Sequence, residues 1–104
     1  MSQNQGKSLE ELRRVFSEMD ARTAQAEQDL EALQLFVERF EAMEENRKPL
    51  EAYYFGDWRE DVEAYEAMNP QEDFHSTSED AIWNVTQYLH MEKIRLLKRL
   101  AESI

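Results

Sequence analysis

SLEELRRVFSEMDARTAQAEQDLEALQLFVERFEAMEENR, residues 8–47, decides the fold. It opens as a capping box: the Ser8 hydroxyl accepts from the third helical amide, and Glu11 reaches back. Apolar side chains then recur at Leu9, Leu12, Phe16, Met19, Ala26, Leu30, Leu33, Val37 and Phe40, in steps of three and four that miss only at Thr23. This is the stripe of an amphipathic helix with heptad-like spacing. A residue before proline avoids the α region, so Lys48 ahead of Pro49 predicts an end near residue 47. At ~1.5 Å per residue such a helix is about 60 Å long, longer than a compact domain of 12.4 kDa is wide. It must be covered by the rest of the chain, be covered by a second copy, or be broken near Asp20–Thr23. Ser17-Glu18-Met19-Asp20 offers a weaker second capping box there.

Outward from this stretch the pattern stays helical. Pro49 suits the first position of a short helix to about Phe55. Gly56 follows, at a place where a backbone conformation that other residues resist is expected. Asp57-Trp58-Arg59-Glu60 reads as an N-cap opening a helix from 58 to about 68, with Trp58, Val62, Tyr65 and Met68 or Asn69 on one face. Asn69-Pro70 ends it, and residues 70–77 form a polar loop with Phe74 and His75. Ser76 to Asp80 is rich in capping residues, and Glu79 and Asp80 fall in the first turn of a last helix over about 79–102. Its stripe is Ile82, Val85, Leu89, Leu96 and Leu100, widened by Trp83, Ile94, Leu97 and Ile104. Lys93, Arg95, Lys98 and Arg99 suit its C-terminal half. The expected fold is all-α: one long N-terminal helix, short aromatic-rich middle helices and a C-terminal helix packed antiparallel in a helical bundle. Residues 1–7 are expected to be disordered and 8–104 to form a single helical domain.

Composition narrows the function classes. Two glycines and two prolines in 104 residues leave few turns, and the abundance of Glu, Ala, Leu, Arg and Gln favours helix. The net charge of −11 argues against direct binding to nucleic acid or to anionic membranes, which repel such a chain. There is no cysteine for a disulfide or thiolate. No apolar run approaches the ~20 residues of a membrane span, and Ser2–Lys7 lacks the apolar stretch of a signal peptide. A cytoplasmic protein is expected.

The charge is concentrated. Between Glu51 and Asp80 lie ten acids, one base (Arg59) and six aromatics: Tyr53, Tyr54, Phe55, Trp58, Tyr65 and Phe74. Acidic tails rarely carry so many aromatics, so the segment is expected to fold and to present charge on a shaped surface. Candidate partner-binding residues are Tyr53, Tyr54, Asp57, Trp58, Glu60, Asp61, Glu63 and Glu66. Aromatics of this kind anchor interfaces, but they also fill small helical cores. The mixed expectation is a buried Trp58 with one of Tyr53 or Tyr54 exposed. The acids are either a docking face for a basic partner or solvated helix faces.

The stretches Leu50-Glu51-Ala52-Tyr53-Tyr54, Trp58-Arg59-Glu60-Asp61-Val62-Glu63 and Ser78-Glu79-Asp80-Ala81-Ile82-Trp83-Asn84 resemble domain-of-unknown-function family 4298, small bacterial and phage-associated proteins. The resemblance spans roughly residues 15–100 and implies a shared helical fold but no activity. In the family, Leu-Lys-Arg-Gly usually precedes Ser-Glu-Asp. Here Asp73-Phe74-His75-Ser76-Thr77 stands in that place, and the basic pair is gone.

Catalytic and metal chemistry find little footing. Asp57, Asp61, Glu79 and Asp80 can meet around a divalent cation only if two helix starts converge, and no calcium-loop pattern is present. His75 and His90 share no ligand spacing, and His90 reads as a helix-packing residue. Paired-carboxylate catalysis needs a pocket that separates two pKa values, which a thin helical fold lacks. The expectation is therefore no enzyme, no cofactor and no metal. What remains is an acidic module that binds a protein partner through residues 51–80. The alternative is a nucleic-acid-mimicking inhibitor, of phage anti-defence or anti-CRISPR type, that blocks the basic cleft of a nucleic-acid-binding protein. Leu9, Leu12, Phe16 and Met19 are the candidate oligomerisation residues of a homodimer.

Overall fold

A computed structural model describes residues 6–104. Of the N-terminal stretch expected to be disordered, residues 1–5 lie outside the described residues. The order of elements is α1 (Leu9–Phe55), α2 (Trp58–Ala67), a 3₁₀ turn (His75–Thr77) and α3 (Ala81–Ser103). The fold is all-α, as the periodicity predicts. The chain divides into two compact units, Met1–Glu41 and Ala42–Ile104. The first is the N-terminal part of α1. The second is a small bundle formed by the last turns of α1 with α2 and α3.

α1 starts as expected, with the Glu11 amide donating to Ser8 Oγ at 3.1 Å. It does not break near Asp20–Thr23, where Thr23 Oγ1 instead donates to the Met19 carbonyl within the helix. Nor does it stop at Lys48: the predicted end at 47, with Pro49 starting a new helix, is corrected to a single helix with Pro49 inside it. Proline removes one intrahelical hydrogen bond. Arg47 spans the affected turn, reaching Glu44 behind it and Glu51 ahead of it.

α3 returns along the end of α1. Glu44 holds Lys93 at 2.8 Å, and Tyr54, ten residues on, meets Trp83, ten residues back, so the two run antiparallel. The face of α3 that is buried or half-buried is Ile82, Thr86, Leu89, Lys93 and Leu96. Val85 and Leu100, expected on it, are exposed. Thr86 takes the inward place because its hydroxyl donates to the Ile82 and Trp83 carbonyls, so no polar hydrogen is lost to the core. His90, expected to pack, is exposed.

The helix starts also differ from expectation. Asp57 and Asp80 occupy the N-cap positions of α2 and α3 but have helical backbone angles and make no side-chain cap bond. Glu79 and Asp80 precede the first turn of α3 rather than sit in it. Gly56 does not take a positive φ; that belongs to Asn69, at φ 54°, which ends α2. Gly56 is demanded by proximity, since a Cβ there would lie 2.9 Å from the Ala52 carbonyl oxygen.

Candidate functional site

Trp58 organises the acidic aromatic region. As the first residue of α2 it is turned back onto the end of α1, its ring 4.9 Å from that of Tyr54. Its indole N–H donates to the Ser76 carbonyl at 2.7 Å, tying α2 to the 3₁₀ turn. Trp58 is half-buried rather than buried, Tyr54 is half-buried, and Tyr53 is exposed.

The candidate residues separate around this tryptophan onto three sides. One side is an open groove walled by Tyr54, Phe55, Trp58 and Trp83 and rimmed by three acids, Glu60, Glu79 and Asp80, with one base, Arg59. Phe55 packs edge-on against both Tyr54 and Trp83, yet Phe55 is 71% exposed and Trp83 42%. The second side holds Tyr53, Asp61, Tyr65 and Phe74. There the Tyr53 hydroxyl donates to Asp61 Oδ2 at 2.7 Å, and the Tyr65 hydroxyl donates to the Glu72 carbonyl. The hydrogen bond to the Asp61 carboxylate raises the Tyr53 phenol above its ordinary value, because ionisation would set two negative charges together. Desolvation, with Glu72 and Asp73 nearby, raises Tyr65. Glu63 and Glu66 lie on the third side, towards Thr77 and Glu79. Met68, expected on the packed face of α2, is exposed.

The structure thus brings Tyr54, Trp58 and Glu60 together and sets Tyr53 and Asp61 apart from them. Asp57 lines none of these three sides. Phe55, Trp83, Glu79 and Asp80 join the first side although none is among the candidate binding residues: the sequence marks Phe55 only as one of the segment's aromatics, Trp83 as widening the α3 stripe, and the two acids as belonging to the first turn of α3. For the two acids a signal existed: Ser78 and Asp80 are both potential caps, more than one helix start can use, and Glu79 lies between them. For Trp83 the signal was its place beside the α3 stripe instead of on it.

Away from the aromatics, Glu44 accepts from both Arg47 and Lys93. These two hydrogen-bonded cations hold its carboxyl at about 2, well below the ordinary carboxylate range. Among the described residues no group of three or more histidines and acids is placed to hold a metal ion, so Asp57, Asp61, Glu79 and Asp80 do not form a cation cage. No described helix is long and apolar enough to cross a membrane.

The order of these pieces along the chain is that of a family. The family model described as Domain of unknown function (DUF4298) matches residues 16–99. The chain belongs to that family. The match takes in the aromatic groove and the antiparallel pairing of α1 with α3, and leaves Leu9 and Leu12 outside it. No curated protein and no solved structure matches the chain.

Proposed function

We propose that this member of the family is a non-enzymatic protein-interaction module. It takes a basic, apolar-tipped segment of another protein against the groove of Tyr54, Phe55, Trp58 and Trp83. The observation that carries this reading is the exposure of Phe55 and Trp83 side by side within a net acidic rim, where Glu60, Glu79 and Asp80 outnumber Arg59. Large aromatics left in water lose more on association than polar neighbours do, and they dominate binding energy where they occur at interfaces. The rim acids make no cap bonds that would hold them to their own backbone, which leaves them to steer and orient a cationic partner. Glu63 and Glu66 extend the same negative field on the adjoining side.

The test is photo-crosslinking from position 55 in cells, followed by affinity measurement with the protein that is captured. Trp83→Ala should weaken binding by roughly a hundredfold, the scale of an anchor residue. Glu60→Gln with Glu79→Gln and Asp80→Asn should act mainly through the association rate and salt dependence. A captured nucleic-acid-binding protein that DNA or RNA displaces, and that is indifferent to Trp83→Ala, would transfer the assignment to nucleic-acid mimicry. Unchanged affinity in both variants would remove the groove from the function.

A further inference from the structure

On α1 the apolar stripe read from the sequence is the part left in water. Leu9, Phe16, Met19, Leu30, Leu33 and Val37 are between 43% and 65% exposed. They form one seam with Leu12 and with the small residues Thr23 and Ala26. The strip is about 45 Å long and about 10 Å wide. Covering it on two helices buries about 900 Å², close to the ~1,000 Å² of a small specific interface.

The charges along this segment are unevenly placed. Residues 7–22 carry four bases (Lys7, Arg13, Arg14, Arg22) against four acids (Glu10, Glu11, Glu18, Asp20) and so sum to zero. Residues 23–41 carry five acids (Glu27, Asp29, Glu31, Glu38, Glu41) and one base, Arg39, a net −4. Among the described residues Arg22 pairs with Glu18 alone, in a 3.9 Å approach with both side chains largely exposed, so its guanidinium has room for a better partner.

We infer that residues 12–37 of α1 pair with the same residues of a second copy, antiparallel, about a centre between Thr23 and Ala26. In this register Leu12 meets Val37 of the second copy, Phe16 meets Leu33 and Met19 meets Leu30. The small pair, Thr23 and Ala26, meets at the crossing, where backbones approach most closely. The neutral half of each helix, with its three arginines, lies against the net −4 half of the other. Parallel pairing instead stacks the two −4 halves on each other. The helix dipoles oppose in the antiparallel arrangement and align in the parallel one. This surface is distinct from the aromatic groove, and it can fail without the groove failing.

The absence of cysteine from the sequence makes Glu10→Cys a unique labelling site, off the seam on an exposed position. The 104-residue chain, spin-labelled there, should run at twice its 12.4 kDa mass by light scattering in the micromolar range. Its label-to-label distance should be about 45 Å, the axial separation that the antiparallel register imposes. Phe16→Asp with Leu30→Asp should raise the dimer dissociation constant at least about a hundredfold, with circular dichroism reporting whether helix is kept. A monomeric mass for the parent overturns the inference, as does a distance of about 20 Å or less, the parallel value. A dimer that persists in the double variant overturns it equally. Should that variant lose helix, the parent's mass and distance decide alone.

Discussion

Two stretches of one seam on α1 have been put to opposite uses. Over residues 9–37 the seam positions are nearly all apolar, and most of them are exposed. Continued in the same steps of three and four, the seam passes through Phe40, Glu44, Arg47, Glu51 and Tyr54, which are all half-buried. Three charged residues therefore hold the middle of the covered stretch, between Phe40 and Tyr54, and apolar residues nearly all of the uncovered one. A heptad stripe marks where a helix can pack, and it does not say what packs there. In the bundle the charged positions specify a particular arrangement, since Glu44 must find both Arg47 and Lys93. Removing one partner of such a pair leaves the other charge uncompensated, which ties these positions to one arrangement. An apolar stretch has no such selectivity of its own and depends on flanking charge to choose its partner.

The largest test of this contrast substitutes one aliphatic residue in each region. Ile82, 4% exposed, is a central buried contact of the bundle, and Ile82→Ala should cost about 2–4 kcal/mol in urea unfolding followed by tryptophan fluorescence. Both tryptophans belong to the bundle, so the probe reports on that unit. Leu33→Ala, at an exposed seam position, should cost about 0.5 kcal/mol or less by the same probe while weakening self-association. Equal costs at the two sites would mean that the seam is already covered within one chain, and the contrast would collapse.

Gly56→Ala comes next. The new methyl would press on the Ala52 carbonyl at 2.9 Å, backbone that cannot swing aside. The α1–α2 turn must shift, at a cost of about 1–3 kcal/mol. The loss should appear in the bundle and carry Trp58 and the groove with it, leaving the dimer equilibrium of residues 12–37 in place. A neutral substitution would show that the turn has slack and that the aromatic wall is less firmly set than the geometry indicates.

Much of this was legible from residue types. Ser8 and Glu11 announced the start of α1, Asn69-Pro70 announced the end of α2, and periodicity alone gave an all-α chain with an antiparallel last helix. What escaped was tertiary. Pro49 reads as a boundary because its ring removes a hydrogen bond, yet α1 runs on through it, with Arg47 bridging Glu44 and Glu51 across that turn. Gly56 reads as a left-handed residue, yet its requirement is a nearby carbonyl that no local pattern reveals. Thr86 was passed over because a hydroxyl scores as polar, although bonding back to Ile82 and Trp83 makes it an inward-facing residue. Within the site, acidity and aromaticity pointed to the right segment. Which ring faces which side depended on α3 delivering Trp83, a contact that runs from one end of the bundle sequence to the other.

The charged stretch of the seam has its own signature in acid. The Glu44 carboxyl ordinarily titrates near 4.5, and Arg47 and Lys93 hold it at about 2 in the folded chain. A depressed folded value means that its contribution to stability is complete above about pH 4.5 and is lost as pH falls towards 2. Stability measured down this range should fall more steeply in the parent than in Glu44→Gln, which has no proton to take up. Parallel curves would mean that the pair is not formed in solution, and the covered stretch of the seam would then lack the feature that distinguishes it.

The smallest effect belongs to the rim of the bundle and sharpens the contrast from the alkaline side. Tyr53 is exposed, so its hydrogen bond to Asp61 competes with water on equal terms. The bond still leaves a mark, because the Asp61 carboxylate accepts the phenolic proton and opposes its loss. A raised folded value makes the associated stability complete below the ordinary tyrosine value of 10.0 and lost as pH climbs through the raised one. In an ultraviolet titration Tyr53 should therefore ionise late, and Asp61→Asn should return it towards ordinary behaviour without altering helix content. Tyr65 should stay late in that variant, since its causes are desolvation and the acids Glu72 and Asp73. If Asp61→Asn moved neither tyrosine, the second side of Trp58 would be an unlinked surface. If it moved both, the two tyrosines would respond as one coupled unit, so that changes on that side reach Tyr65 as well as Tyr53.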